Sequence, residues 1–336
     1  MIVQTIPVTE PMTLTAEPLT RSGFAPFGSV VANPAPSRLP SNTPPSAIAS
    51  GALPLGAVSA NQGTAIQYRF LSPLCDLYAR APSRAPATPR LTMFVCGARK
   101  LEREQRERGR DPRDQWQLSR RQRWTPRLGH HGGDHRDDAN EDDDGPRDRE
   151  RGNGNNGDGD DDDDGPKSHS LFEVRILERH PFTTQTFVPL AASGKRYLVI
   201  VAPSLEPGAL DWDLPVPDGS SAGAAAGADP RRGARPGEPG AAARLPGRGM
   251  PDLARIRAFI ARGDQAVTYG AGTWHAPMVA LGPPGSAIEF VVTQFANDVP
   301  REDCQEVALE SWEEDVEGGS SRIMVRIPDA SRASKL

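Results

Sequence analysis

Hydrophobic positions along this chain recur mostly in short runs. Residues 28–34 (GSVVANP), 65–71 (AIQYRFL) and 90–97 (RLTMFVCG) are rich in β-branched and aromatic side chains and are bounded by Gly and Pro, which predicts strands. In 171–180 (LFEVRILERH), Phe172, Val174 and Ile176 fall on one side, with Glu173 and Arg175 on the other. That is the period of two of a half-buried strand. Residues 196–203 (RYLVIVAP) are apolar without a break, which suits a strand buried on both faces. Residues 287–296 (AIEFVVTQFA) predict a further strand. A helical period shows in 251–262 (PDLARIRAFIAR), where Leu253, Ile256, Phe259 and Ile260 share a face, Pro251 and Asp252 suit a first turn and Gly263 suits the end. A helical turn is expected at 22–28. Many short strands with few helices predict an all-β sandwich or barrel.

Two stretches break this pattern. Residues 101–169 pass from LEREQRERGRDPRD to GDGDDDDDGP, and 217–249 are rich in Ala, Gly, Pro and Arg. Neither has the aliphatic residues to bury enough surface against the entropy of ordering. Both are expected as disordered insertions in a single domain spanning 1–336. His130, His131 and His135 with Asp134 and Asp137 fall in the first and are read as solvated low complexity.

Composition agrees. Hydrophobic residues make up only 37%, and 33 Gly and 34 Pro are many for 336 residues, as expected of a core diluted by loops. The formal net charge of −5 gives no reason to expect nucleic acid as a partner. Cys75, Cys96 and Cys304 are an odd, widely spaced set, read as reduced thiols in an intracellular compartment. No run approaches the ~18 apolar residues of a membrane span, and MIVQTIPVTEPMTLTAEPL lacks the pattern of a secretory signal. A C-terminal tail, 318–336, is expected to end in the peroxisomal address Ser334-Lys335-Leu336 and to meet the import receptor; the alternative is a cytoplasmic protein.

Candidate chemistry begins at ERHPFTTQTFVPL (178–190). Residues two apart on a strand share a face, so Glu178 and His180 point together, with Gln185 five positions on. The spacing E-x-H-x4-Q has the shape of the cupin metal motif H-x-H-x4-E with each end ligand replaced. The second cupin motif, a Gly-rich turn followed by a histidine, is matched by GDQAVTYGAGTWH (263–275), with Gly270, Gly272 and His275. Arg179, out of phase with its neighbours, is expected to face the other way, solvated or ion-paired. Bland readings stand beside these. His180 before Pro181 can simply cap a strand, Trp274 can be core, and Tyr269 is either core or a donor into a pocket.

The chain resembles the ureidoglycolate lyase (ureidoglycolate hydrolase) family of allantoin degradation, its fungal members above all. The resemblance lies in FAPFGSVV, NQGTA, TMFVCGARKL, LFEVRILERHPFTTQTFVPL, YLVIVAP, PDLARIRAFIARGDQAVTYGAGTWHAPMVAL and FVVTQFANDVPREDCQEV. It covers about residues 14–312, less the two insertions. It implies a cupin-like double-stranded β-helix, a homodimer and a carbon–nitrogen (amidine) lyase that splits (S)-ureidoglycolate into glyoxylate and urea. That reaction needs a base for the hydroxyl proton and an acid for the departing nitrogen. Glu178, His180 and His275 are the expected catalytic set. Asn61, Gln185, Gln294, Tyr269 and Trp274 are expected around the substrate, with Arg179 or Lys195 offering charge to its carboxylate. Glu178, His180, Gln185 and His275 are the candidate ligands of a divalent metal, nickel or manganese. A non-catalytic cupin-like protein that binds a small acid or serves as a scaffold is the alternative. A cupin dioxygenase is disfavoured by the missing His-x-His pair.

Overall fold

The structure is a computed structural model, and it describes residues 2–104, 169–208, 211, 213–217, 247–311 and 321–328. The described elements belong to one compact unit built from residues 1–103 and 169–336. The fold is all-β, as the pattern predicts, in a cupin-like arrangement of stacked sheets.

An eight-stranded sheet runs from edge to edge through Ile2–Val8, Gln305–Ser311, Ile176–Arg179, Trp274–His275, Arg196–Ala202, Arg257–Arg262 and Glu17–Pro18, with Val279–Leu281 also paired to Arg196–Ala202. A five-stranded sheet runs Gly28–Val31, Ala266–Tyr269, Gln185–Pro189, Ala287–Ala296, Thr88–Gly97. A four-stranded sheet runs Met12–Thr15, Ile323–Ile327, Ser170–Glu173, Glu102–Arg103, and a small hairpin joins Val58–Ala60 to Ala65–Gln67.

The eight-stranded sheet is the middle layer. Tyr197, Val199, Val201, Phe259 and Ala261 point from it toward Phe187, Val267, Tyr269, Phe290 and Val292 of the five-stranded sheet. The alternate residues Leu198, Ile200, Ala202 and Ala258 meet Phe172, Ile323, Val325 and Ile327 of the four-stranded sheet. The unbroken apolar run at 196–203 is therefore explained: its strand has no solvent face.

The helix expected over 251–262 does not form. Leu253–Arg255 make one 3₁₀ turn, capped by the Asp252 carboxylate accepting from the Ala254 N–H, and Arg257–Arg262 is a strand antiparallel to Arg196–Ala202. The start signal was real but governs one turn. Ala258 and Phe259 bury on opposite faces of the middle sheet, so no polar alternation marked the strand. Gly263 turns the chain where an added Cβ would stand 2.2 Å from the Ala192 carbonyl. The turn expected at 22–28 appears as a short helix, Arg21–Phe24.

The strand expected over 171–180 divides into Ser170–Glu173, in the four-stranded sheet, and Ile176–Arg179, in the eight-stranded one. The alternation slips at the break: Phe172 and Val174 are buried, Ile176 is exposed and Leu177 is buried. Segment boundaries shift too. Glu102–Arg103, inside the expected first insertion, is a strand paired to Ser170 and Leu171. Pro217 and Gly249, at the ends of the second, are buried. Ile323–Ile327, inside the expected tail, is a core strand parallel to Met12–Thr15. The rest of both insertions, the histidines near 130 and Ser334-Lys335-Leu336 lie outside the described residues.

Candidate active site

The site lies between the middle and five-stranded sheets, and strand pairing builds it. Glu178 stands directly across from His275 on one side and from Glu306 on the other, and His275 is in turn opposite Val201. Cross-strand partners share a face, so the Glu178–His275 row points with Val201 toward the five-stranded sheet. His180 follows just beyond the strand end. There the turn 270–273 reaches it: the Gly272 N–H donates to the His180 carbonyl at 2.8 Å. Gly272 adopts a left-handed φ of 75°, which glycine reaches without steric cost. The two halves of the motif are thus joined backbone to backbone.

Both imidazoles are oriented by carbonyls. His180 Nδ1 is 2.6 Å from the Asp303 carbonyl oxygen and His275 Nδ1 is 2.9 Å from that of Thr273. Each Nδ1–H donates, which turns each Nε2 lone pair inward. His180 Nε2 is buried without a partner among the described residues. His275 Nε2 faces two oxygens, Gln185 Oε1 at 3.1 Å and Glu178 Oε1 at 3.5 Å. A lone pair against two oxygens is repulsive, so a cation between them fits this spot. Ligand atoms of Glu178, His180 and His275 lie within 4.8 Å of one another. This donor set fits a borderline divalent ion.

Gln185 passes its amide N–H to Gln294 Oε1 at 2.6 Å. Tyr269, opposite Gln185 across the strands, stacks on His275 with centroids 3.9 Å apart and planes 12° off parallel. Its hydroxyl, like His180 Nε2, is buried and unpartnered among the described residues. Burial works to raise the Glu178 carboxyl, but the hydrogen bond and charge of His275 outweigh it and hold the group below the usual carboxylate range. Burial, with His275 nearby, lowers His180 below its ordinary value, so the ring is neutral. Burial, with Tyr197 and Glu178 nearby, raises Tyr269 well above its ordinary value, so the phenol stays protonated.

Six of the expected residues therefore meet: Glu178, His180, His275, Gln185, Gln294 and Tyr269. Four do not join them. Arg179 is out of phase as expected but is not solvated, and among the described residues it has no ion pair with an acidic side chain. It is fully buried on the opposite face. Its guanidinium donates to Gln305 Oε1 (2.8 Å) and to the carbonyls of Gly247 (2.8 Å), Arg248 (2.9 Å) and Gly249 (3.1 Å), and lies 4.4 Å over the Trp274 ring. Burial lowers it to about 9, Asp211 opposing and Arg248 adding, which leaves it charged at neutral pH. Trp274 belongs to the same far side, its Nε1–H donating to the Gly249 carbonyl at 3.1 Å, so the core reading of Trp274 holds. Lys195 is exposed in the turn before Arg196–Ala202, six residues from the Val201 that faces His275. At ~3.3 Å per residue that is roughly 20 Å away. Asn61 sits exposed in a 3₁₀ turn between Val58–Ala60 and Ala65–Gln67.

The structure adds residues that the sequence did not single out. Cys304 and Glu306 bring ligand atoms within 4.8 Å of Glu178. Burial first, then Glu178, pushes the Cys304 thiol up to about 12, so it is an inert thiol. The Asp303 carbonyl is equally invisible without the fold. Glu306 is placed by its pairing with Glu178, a long-range register that no local spacing encodes.

A β-layered unit with a carboxylate and two inward imidazoles between its sheets is a cupin-like protein. The particular family follows from comparison with known proteins. A family model described as ureidoglycolate lyase matches residues 11–316, so the chain belongs to that family. It is similar to the ureidoglycolate lyase of Schizosaccharomyces pombe, 35% identical over 145 residues, covering 43% of this chain and 53% of that protein. The protein of that name from Saccharomyces cerevisiae is 33% identical over 144 residues, covering 41% and 50%. The one from Burkholderia mallei is 30% identical over 127 residues, covering 38% and 46%. The chain thus spans about half the length of the curated relatives it matches.

Proposed function

We propose that this chain is a ureidoglycolate lyase, cleaving (S)-ureidoglycolate to glyoxylate and urea. One observation carries the reading: in a chain of this family, Glu178, His180 and His275 converge with an unpartnered imidazole nitrogen aimed among them. That buried lone pair is placed to accept a proton or to hold a cation.

The residues divide the work as follows. The Glu178 carboxylate, held ionised, takes the substrate hydroxyl proton. The freed electron pair closes the glyoxylate carbonyl, and the carbon–nitrogen pair leaves on the ureido nitrogen. The Glu178 carboxyl then passes that proton to the departing nitrogen, which completes urea. Gln185 and Gln294 face the ureido group with amide donors and acceptors, and the Tyr269 phenol offers one further donor. Glu178, His180 and His275, with Gln185 beside them, would hold a nickel or manganese ion, which supplies charge to the substrate carboxylate and hydroxyl when bound. Homodimeric assembly and delivery to peroxisomes through Ser334, Lys335 and Leu336 belong to the same proposal. Among the described residues no helix is long and apolar enough to cross a membrane.

The test is glyoxylate release by the purified chain, before and after chelation and with nickel or manganese returned, beside thermal melts in each metal. Glu178→Ala, His180→Ala and His275→Ala should each lower kcat/KM by ~10²–10⁴-fold. Near-normal turnover in both histidine variants overturns the assignment. A melting temperature unmoved by either metal in the intact protein removes the metal from it.

A further inference from the structure

The largest anomaly outside the site is the strand Thr88–Gly97. It is ten residues long and ends the five-stranded sheet, so one side of its backbone is unpaired among the described residues. It is also apolar where it meets solvent: Leu91 is 76% exposed, Met93 58%, Val95 66% and Phe94 47%. A long, flat, hydrophobic edge is what folded proteins avoid unless something covers it.

The register defines the face. Phe290 and Val292 point into the core between the sheets, so Glu289, Val291 and Thr293 point outward. Their partners on the edge strand are Val95, Met93 and Leu91. Val188, opposite Val291 and also exposed, continues the Met93 row inward across the sheet. The outer face thus carries an apolar patch that runs to the open edge. Phe94 lies on the inner side, its ring 5.9 Å from Phe187, and nearly half of it shows at the same edge. An occupant must therefore supply backbone partners and apolar side chains on both faces. A strand does this; a small molecule does not.

We propose that the occupant is the same strand of a second copy, paired antiparallel about a two-fold axis at Met93. In Leu91-Thr92-Met93-Phe94-Val95 the outward row Leu91, Met93, Val95 is apolar and symmetric about its centre, while on the inner face Thr92 falls opposite Phe94. A two-fold there sets Leu91 opposite Val95 and Met93 opposite its own copy, so the outer apolar row continues unbroken across the join. Such an interface is isologous and closes at two copies. Pairing stops where Pro89, which lacks an N–H, meets Gly97. The charge-rich 101–169 stretch of the chain has no apolar run to offer in its place. The inference rests on the homodimer proposed above for its occupant, and not on the lyase activity.

The experiment measures the mass of the intact chain in solution by light scattering, with two variants. Wild type should run as two chains and Met93→Glu as one, with its melt still cooperative. In a Cys96→Ser background, Met93→Cys should form an interchain disulfide on oxidation, because directly opposed residues stand ~4.5–5.5 Å apart between Cα atoms, within disulfide reach. The cross-link keeps the test decisive if Met93→Glu fails to fold. A wild-type monomer, whatever else then covers the strand, overturns both the interface and the homodimer. A dimer that survives Met93→Glu and yields no cross-link overturns the interface alone.

Discussion

Replacing Arg179 with Met distinguishes a structural cation from a substrate-binding one. The guanidinium makes four hydrogen bonds, to one side-chain amide and three backbone carbonyls, and stacks over Trp274. Two of the four, to Gln305 and to the Gly249 carbonyl, are fully buried. Their acceptors would be left without partners at ~1–3 kcal/mol each, and the Trp274 face would lose its cation. Met fills most of the volume, so the cavity penalty is small. The loss expected from the two acceptors together is ~2–6 kcal/mol, or a melting temperature lower by roughly 10 °C. Arg179→Lys keeps the charge but not the planar fork, and should still lose about 2 kcal/mol. Urea denaturation gives the stabilities, and kinetics below each variant's transition give the activity. If both variants stay within about 1 kcal/mol of wild type while Arg179→Met alone loses activity that Lys restores, Arg179 serves the substrate and the packing account is wrong.

Two further predictions follow from the same geometry. His180 and Glu178 both lie below their ordinary values of 6.5 and 4.5, so folding favours the deprotonated form of each. The stabilisation is complete above those values and is lost as pH falls through the lowered folded ones. Urea midpoints of chelator-treated protein should therefore decline first below about 6.5 and again below about 4.5, and His180→Ala should abolish the upper step. Tyr78→Phe removes a 2.6 Å hydrogen bond to the Asp303 carboxylate. It should cost ~1.5–3 kcal/mol in a thermal or urea melt, yet change kcat/KM less than tenfold, because the N–H groups of Asn297 and Asp298 still hold Asp303 in place.

What the sequence conveyed about this fold depended on whether the signal was local. The strand at 196–203 was legible because burial on both faces leaves an unbroken apolar run. The strand Arg257–Arg262 has the same environment but follows a true cap at Asp252, and its Phe259 and Ile260 happen also to fit a helical face. Local period cannot separate the two, and the partner Arg196–Ala202 decides. At the site, the period of two correctly put Glu178 and His180 together and Arg179 apart. The depth at which Arg179 lies was not legible, because its acceptors come from residues 247–249, about seventy positions away. Lys195 was misplaced for a similar reason: its strand does reach His275, but with the other end.

These placements bear on how the pocket is balanced electrostatically. The substrate expected there is an anion, and the pocket already contains Glu178, held ionised by its neighbours. The two side chains expected to offset this charge are elsewhere: Arg179 is committed to the far face of its own strand, and Lys195 stands at the opposite end of another. Two like charges brought within a few ångströms in a half-buried cleft repel by several kcal/mol, so a carboxylate cannot enter unless a cation accompanies it. Among the described residues, the place for that cation is the gap bounded by His180 Nε2, His275 Nε2, Gln185 Oε1 and Glu178. A single positive charge there would offset Glu178 alone. A divalent ion held there would offset Glu178 with one charge to spare for the substrate, so anion binding, more than proton transfer, is the step expected to depend most strongly on metal.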